Sequence, residues 1–313
     1  MERFLLQLMI SKGIGDVTLK KILHHSIANP ECTLKAICET PEHFSPIFGF
    51  KPATIESIHN NKSRAEQLAK ELVQRKIVMI SETDANYPKQ LVATLAEQCP
   101  PVLFAQGNLH LLSTPSVGFC GSRKVSSKGL SITEQCAQQL VHKGITVVSG
   151  YAAGTDLAAH TSAMQNGGNT IFVLAEGILK YSKKQAVQSS LTPDNHLYVS
   201  QFIPDALWNA GNAMKRNAVI IGLTKAMILV ESGNSGGTFA AGEETLRRNL
   251  PLFVIDYAKP EVSAEANPYF ISRGGNPIRG CKGIPVLDLV FSAITQTPII
   301  PQHFEQLSIN LNT

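Results

Sequence analysis

Three loops rich in glycine and serine are the segments of this sequence best suited to hold a ligand. Each follows a short apolar run. Glycine lets the backbone approach a ligand closely and turn its N–H groups toward it, and the N-terminus of a following helix adds positive potential. One such loop would be an ordinary turn, but three together predict a phosphate cradle. We assign to this cradle Gly121, Ser122, Ser149, Gly150, Gly154, Ser235 and Gly236.

Four basic side chains accompany these loops. Arg123 and Lys124 directly follow the first loop, whereas Lys215 and Arg216 precede a later apolar run. A guanidinium can grip a phosphate with two parallel hydrogen bonds, and an ammonium adds charge. Lys215 and Arg216 taken alone would fit a solvated helix end. In combination with the loops, all four are expected to form one basic surface for a phosphate backbone.

Other chemistries lack the residues they need. The first loop does not read Gly-x-Gly-x-x-Gly, there is no Walker lysine motif, and the six cysteines are scattered without a Cys-x-x-Cys pair. Asp156 and His160 stand four residues apart, where a helix cap and a packed histidine are favoured over an acid–base pair because no nucleophile is evident nearby. We therefore predict no catalytic residue, no metal site and no cofactor.

The elements that must position the loops follow from the hydrophobic pattern. Continuous apolar runs alternate with helical stretches such as 127–142, which is typical of a parallel sheet covered on both faces. The expected fold is α/β, a Rossmann-like, doubly wound and mostly parallel sheet. Ligands bind such sheets at the carboxyl ends of the strands, where all three loops lie.

The first part of the chain is predicted to be a small helical domain over residues 1–75, of the helix-hairpin-helix or SAM-like type. Residues 13–15 read Gly-Ile-Gly between two amphipathic stretches. Such a hairpin can hold a DNA phosphate on its backbone N–H groups, although a plain turn in a helical bundle fits as well. The Rossmann-like domain is expected over residues 76–292 and a C-terminal tail over 293–313.

Length and composition agree with this division. The 313 residues are 43% hydrophobic and 17% charged, which suffices for a sizeable core. The formal charge of +4 neither requires nor opposes a nucleic-acid partner, and a single Trp argues against a protein built mainly on aromatic base stacking. No secretory signal or membrane segment is recognisable, so a cytoplasmic protein is expected.

The ordered set of motifs resembles the DNA-processing protein A family (DprA, also called Smf). Each motif alone is modest, but their order along most of the chain is specific. The matching residues are 87–91, 100–104, 107–109, 121–123, Ser149, Gly150, Gly154, Asp156, Ala159, His160, 168–171, Val173, Leu174, Gly177, Arg216, Asn217, Gly222, Leu223, Glu231, Ser235, Gly236 and 270–275.

This resemblance implies a non-enzymatic protein that binds single-stranded DNA. Such proteins protect incoming DNA during natural transformation, help to load the RecA recombinase onto it for recombination, and usually work as homodimers. The basic pocket arginine of the family falls on Arg123. Phosphate contacts of this kind give sequence-independent, salt-sensitive affinity.

Several positions depart from the family pattern and indicate a divergent member. The family's Phe-x-x-Arg-Asn-Arg reads here Ala213-Met214-Lys215-Arg216-Asn217-Ala218. Ala153 replaces an arginine before Gly154, and 256–257 replace a Pro-Gly. We also expect the chain to lack the C-terminal winged-helix domain that many members carry.

The departures also raise an alternative from a different class. Gly236-Gly237-Thr238 with Glu243-Glu244 is similar to the loop of the LOG family of nucleotide phosphoribohydrolases. A nucleotide-hydrolysing or nucleotide-sensing protein should close Glu243 or Glu244 over a small pocket. A DNA-binding protein should instead extend its basic surface from Arg123 and Lys124 to Lys215 and Arg216.

Overall fold

The structure, a computed structural model, describes residues 2–281 and 283–296. Its first part is helical, as the sequence predicts. Local signals set several of these boundaries: the Thr33 hydroxyl accepts a hydrogen bond from the Ala36 N–H at 3.1 Å, and Gly49 ends a helix with φ of +71°. The helices are α1 (Glu2–Met9), α2 (Asp16–Ala28), α3 (Leu34–Glu39), α4 (Pro41–Phe48), α5 (Pro52–Asn60) and α6 (Lys62–Gln74).

Within the described residues, nine strands form one sheet in the order β1-β2-β6-β5-β4-β3-β7-β8-β9. Strand pairs β1–β2 and β2–β6 are antiparallel and all other neighbours are parallel. The predicted doubly wound, mostly parallel α/β sheet is therefore confirmed. The strands are β1 (Val78–Ser81), β2 (Val102–Gly107), β3 (Ser116–Cys120), β4 (Thr146–Ser149), β5 (Thr170–Val173), β6 (His196–Ser200), β7 (Ala226–Leu229), β8 (Leu252–Ile255) and β9 (Asn276–Ile278), with a separate hairpin of β10 (Gly280–Cys281) and β11 (Ile284–Pro285).

Helices cover both faces of the sheet because successive strand residues point to opposite sides. In β7, Met227 and Leu229 pack on the side of α11, and Ala226 and Ile228 pack on the side of α8 and α9. Both sets are fully or almost fully buried. The helices of this part are α7 (Lys89–Leu95), α8 (Ser127–His142), α9 (Thr155–Gln165), α10 (Gln185–Gln188), α11 (Ala210–Leu223), α12 (Gly237–Arg247), α13 (Asn267–Ser272) and α14 (Asp288–Gln296).

The N-terminal helices pack against the β2–β6–β5 side of the sheet. One buried cluster joins Leu6 and Ile58 to Phe104, Phe172 and Tyr198. The predicted boundary near residue 75 falls between α6 and β1, and two independent domains stay a prediction. At the other end, the predicted tail begins inside α14, where Ile294 is buried, and its residues 297–313 lie outside the described residues.

No helix in the described part of the chain is both long and apolar enough to cross a membrane.

Candidate functional site

An open cleft of about 500 Å³ lies at the carboxyl ends of β3 and β7. The strand order reverses between these two neighbours, which is where open α/β sheets bind ligands. Its polar lining comes from the loops after the two strands, from Asp156 of α9 and from Arg216 and Asn217 of α11, and part of its apolar lining comes from the first turns of α11. The lining includes Gly121, Ser122, Arg123, Asp156, Trp208, Ala210, Ala213, Met214, Arg216, Asn217, Glu231, Gly233, Ser235, Gly236, Gly237 and Thr238.

The loop after β3 is held in place by the N-terminus of α9. The Thr155 N–H and hydroxyl both donate to the Ser122 carbonyl at 3.3 Å. A Cβ at Gly121 would overlap the Thr155 side chain, and a Cβ at Gly154, whose φ is +77°, would overlap the Ser122 carbonyl. The two glycines therefore let the loops pack directly on each other. This packing fixes the backbone from which Arg123 projects.

Arg123 projects into the cleft with an exposed side chain. Its guanidinium carbon lies 5.7 Å from the ring centroid of Trp208, within the range of a cation–π contact. The neighbouring Lys124 is also exposed, but it does not line the cleft. Its N–H donates to the Ser122 hydroxyl at 3.0 Å, so its backbone closes the turn after Arg123.

Arg216 enters the cleft from α11 and is only 7% exposed. Its Nη1 lies 4.0 Å from Asp156 Oδ2, and within the described residues its Nε and Nη1 have no hydrogen-bond partner. Burial lowers the pKa of Arg216 and the nearby Asp156 and Glu176 carboxylates raise it, but a guanidinium stays charged in proteins. Burying a cation whose hydrogen-bond donors lack partners costs free energy. An anion that accepted hydrogen bonds from these donors would offset that cost.

The N-terminus of α12 adds backbone donors to the same cleft. Gly236 has φ of +92°, and in the described chain no side chain caps the helix that begins at Gly237. The first N–H groups of a helix lack intrahelical partners and carry positive partial charge. Ser235, Gly236 and Gly237 all line the cleft. The third predicted loop thus contributes as an uncapped helix start.

Two carboxylates lie in the cleft, and both have structural partners. Glu231 is 1% exposed; it accepts the Ser126 N–H at 2.9 Å and the Tyr257 hydroxyl at 3.3 Å. Asp156 accepts the Ala152 N–H at 3.3 Å and faces Arg216. These contacts fix the start of α8 and the loop after β4 around the two arginines.

The second predicted loop supports the cleft from beneath. Ser149 is fully buried and its hydroxyl donates to the Phe119 carbonyl at 2.8 Å. Gly150 makes room for Arg216, because a Cβ there would overlap the guanidinium. The backbone of this loop is held by His160, which lies 2.5 Å from the Gly150 carbonyl. Gly150 thus makes room for Arg216, Gly154 packs on the loop that carries Arg123, and Ser149 joins β4 to β3; none of the three lines the cleft.

His160 is a packed histidine, as the sequence predicts, but the predicted helix cap is wrong: Gly154 is the N-cap of α9, and the Asp156 carboxylate accepts from the Ala152 N–H of the preceding loop. It is fully buried, its second ring nitrogen lies 2.6 Å from the Thr170 hydroxyl, and burial lowers its pKa to about 3. The ring is therefore neutral at physiological pH.

Lys215 does not join the cleft. Its Nζ pairs with Asp16 Oδ2 of α2 at 2.6 Å, and it lines a neighbouring pocket with Leu95 and Arg248. Consecutive helical residues point about 100° apart, so Lys215 and Arg216 cannot share a target. The expected basic surface through all four side chains is therefore divided: Arg123 and Arg216 meet in the cleft, and Lys124 and Lys215 lie outside it.

Neither Glu243 nor Glu244 lines the cleft. Glu244 is bound by Arg247 and by Arg248, whose Nε lies 2.6 Å from Glu244 Oε1. Glu244 does line the neighbouring pocket of about 330 Å³, but there its carboxylate is held by the two arginines, so neither glutamate faces the cleft that Arg123 and Arg216 line.

Sequence reasoning missed Trp208, Met214 and Asn217 as cleft residues. The signal available for Trp208 was its position just before the basic helix, combined with its being the single Trp. Hydrophobic pattern alone assigns a tryptophan to the core, because tryptophan is on average strongly buried.

Comparison with known proteins gives a family match. The family model for DNA recombination-mediator protein A matches residues 76–284. Protein Smf of Synechocystis is 30% identical over 251 residues, which are 78% of this chain and 62% of that protein. DNA processing protein DprA of Streptococcus pneumoniae is 33% identical over 182 residues, 58% of this chain and 64% of that protein. The chain thus spans about three fifths of the length of these curated relatives.

Two solved structures share the fold. The structure of DNA processing protein A from Streptococcus pneumoniae matches with a TM-score of 0.72 at 24% identity, covering 91% of this chain and 97% of that one. The structure of DNA processing protein A from Helicobacter pylori matches with a TM-score of 0.57 at 20% identity, covering 70% and 94%. At these identities the likeness concerns the architecture.

Proposed function

This chain belongs to the DNA recombination-mediator protein A family, and from that premise we propose that it binds single-stranded DNA in the cleft between β3 and β7. The Helicobacter pylori relative is described by its single-stranded DNA binding mode. The Streptococcus pneumoniae and Bacillus subtilis relatives are named DNA processing proteins. These descriptions support the same class of ligand for this chain.

The observation that carries the proposal is the convergence of two guanidinium groups and an uncapped helix start in one open cleft. Arg123 is exposed and can follow a flexible backbone, whereas Arg216 is buried with unused donors. The first N–H groups of α12 supply a third anion contact. Such contacts bind the DNA backbone without reading its sequence.

The chemistry of the cleft favours holding DNA over cutting it. Asp156 and Glu231 both have structural partners, as described above. Burial raises the pKa of the Cys120 thiol, the nearest sulfur nucleophile, so it stays protonated and unreactive. A non-enzymatic role is the function we propose, and Gly121, Ser122, Ser235 and Gly236 form the backbone part of the site.

The cellular role follows from the family. We propose that the protein protects incoming single-stranded DNA in the cytoplasm during natural transformation and helps to load the RecA recombinase for recombination. The description of the family as a recombination mediator supports this role. A homodimer is part of the same proposal.

Fluorescence anisotropy of a labelled single-stranded oligonucleotide at several salt concentrations tests the binding. We expect salt-sensitive binding that prefers single-stranded over duplex DNA. Arg123→Ala should weaken it about tenfold and lower the salt slope by about one, because one phosphate contact is lost. The matched control is Lys70→Ala, which removes an exposed charge from α6, outside the cleft lining, and should change neither quantity.

Absence of binding at low salt would overturn the proposal. A titration with nucleoside monophosphates would then test the alternative, since an uncapped helix start also suits a single nucleotide phosphate. Binding of the oligonucleotide with an unchanged Arg123→Ala slope would retain the function and remove the assigned site.

A further inference from the structure

Trp208 is the single tryptophan of the chain, and it lies where a ligand would pass. Its side chain is 53% exposed, although tryptophan is usually among the most buried residues. The residue belongs to the segment between β6 and α11, directly before Asn209, the N-cap of α11. An exposed indole in the lining of an anion-binding cleft can stack on a ligand that has an aromatic ring.

Arg123 lies over the Trp208 ring, and the 53% exposure of the residue leaves further indole surface open to a ligand. The nearest cleft residues along the chain are Ala210 and Ala213, whose side chains are small, and Met214, which is 45% exposed. These three residues form an apolar part of the lining, whereas the loops after β3 and β7, together with Arg216 and Asn217 farther along α11, supply the polar part. A nucleotide has the same division between a flat apolar base and a charged phosphate.

The distance between Trp208 and Arg123 suits a nucleotide whose base lies on Trp208 and whose phosphate lies on Arg123. The guanidinium carbon of Arg123 lies 5.7 Å from the indole centroid. A base and its phosphate are separated by one sugar, so a phosphate on Arg123 leaves a base of the same or the next nucleotide beside the indole. Stacking on an aromatic ring tolerates any sequence because every base has a π face.

We propose that Trp208 is a base-stacking platform, which takes an unpaired nucleobase next to the phosphate bound by Arg123. The inference rests on the proposed single-stranded DNA binding and extends it to the bases. It supplies a reason for strand preference: bases in a duplex are already stacked on each other and cannot reach a side-chain ring without being flipped out. Phosphate contacts alone would bind both forms.

The single tryptophan makes a direct test possible. Intrinsic fluorescence is recorded during titration with a single-stranded oligonucleotide and with an abasic oligonucleotide of equal length and charge. We expect the normal strand to quench the indole emission and the abasic strand to leave it nearly unchanged. The abasic strand should also bind about tenfold more weakly, since stacking on one ring is lost.

Variants separate stacking from other effects. Trp208→Ala should weaken binding of the normal strand about tenfold but leave the affinity for the abasic strand and the salt slope unchanged. Trp208→Phe retains an aromatic face and should recover part of the affinity. The matched control is Leu207→Ala, because Leu207 is 73% exposed and does not line the cleft. Thermal unfolding of each variant verifies the fold.

Three outcomes would overturn the inference. Equal binding of both strands by the wild type with unchanged emission would refute stacking while the proposed function stands. An equal loss for both strands in Trp208→Ala would show that the residue only positions Arg123. Binding of neither strand by the wild type would overturn the proposed function, and this inference with it.

Discussion

Two neighbouring residues of α11 show how differently the same kind of charge can be used. Arg216 points into the cleft, is almost fully buried, and keeps two nitrogens without hydrogen-bond partners among the described residues. Lys215 points to the flank, and its exposed ammonium is paired with Asp16. Arg216 faces Asp156 at 4.0 Å but retains hydrogen-bond donors that can bind an anion, whereas the ammonium of Lys215 is bound to Asp16 at 2.6 Å.

The same contrast separates the glycine-rich loops. The loops after β3 and β7 bring their glycines to the cleft, whereas the loop after β4 lines the cleft through Ala152 and its glycines lie behind the lining. Gly236 and Gly237 leave the start of α12 without a side-chain cap, whereas Gly121, Gly150 and Gly154 make room for neighbouring residues. A phosphate-binding site therefore requires more than glycine and positive charge; it requires that they face one open volume.

Replacing Arg216 should lower the DNA affinity more than any other change proposed here, because its buried guanidinium lines the cleft. Arg216→Met removes the charge, and we expect single-stranded DNA affinity to fall roughly 10- to 100-fold, the range of a lost charge-assisted hydrogen bond. The measurement is anisotropy at fixed salt. Because Asp156 would lose its cation, the double variant Asp156→Asn/Arg216→Met controls for folding. An affinity of Arg216→Met within twofold of the wild-type value would show that Arg216 does not bind the DNA.

An intermediate loss of DNA affinity is expected when Gly154, which packs on the loop that carries Arg123, is replaced. Gly154→Ala forces a side chain onto a backbone with φ of +77° and against the Ser122 carbonyl, so we expect about 1–3 kcal/mol lower unfolding free energy and weaker DNA binding. The matched control is Gly144→Ala, with φ of +70° and open space around it. Urea unfolding should detect strain in both, but only the first should lose DNA affinity. Equal affinity loss in both would mean that the loop packing does not position Arg123.

Replacing Lys215, which lies outside the cleft, should have the smallest effect. Lys215→Ala breaks an exposed ion pair, so unfolding free energy should change by less than about 1 kcal/mol and DNA affinity by less than about twofold. Its salt slope, measured beside that of Arg123→Ala, should equal the wild-type slope. If Lys215→Ala lowered the salt slope by about one, Lys215 would contact a phosphate, and the DNA-binding surface would extend along α11 beyond the cleft.

Most of the architecture could be predicted from the sequence because its signals are local. The helix predicted at 127–142 is α8, and the continuous apolar runs of the sequence include the strands β7 and β8. Side-chain periodicity of a strand or helix is written into a few consecutive residues. Arg123 was also identifiable, since it directly follows the turn that ends β3.

The roles within the site needed the tertiary structure. Ser149 and Gly150 have the residue types of a phosphate loop, yet Ser149 bonds the Phe119 carbonyl and Gly150 accommodates Arg216. The partner of Lys215 is 199 residues away in the chain. Trp208 follows no periodicity that would distinguish a cleft from a core.

Local sequence patterns thus predict the fold class of this protein, the order of its main elements along the chain and the end of the sheet that holds the cleft. The packing of distant segments was needed to show which glycines line the cleft, which of two adjacent cations enters it, and that the indole of Trp208 lies beside Arg123. The physical reason is that backbone conformation follows from neighbouring residues. Burial and partnership depend on contacts between segments far apart in the chain.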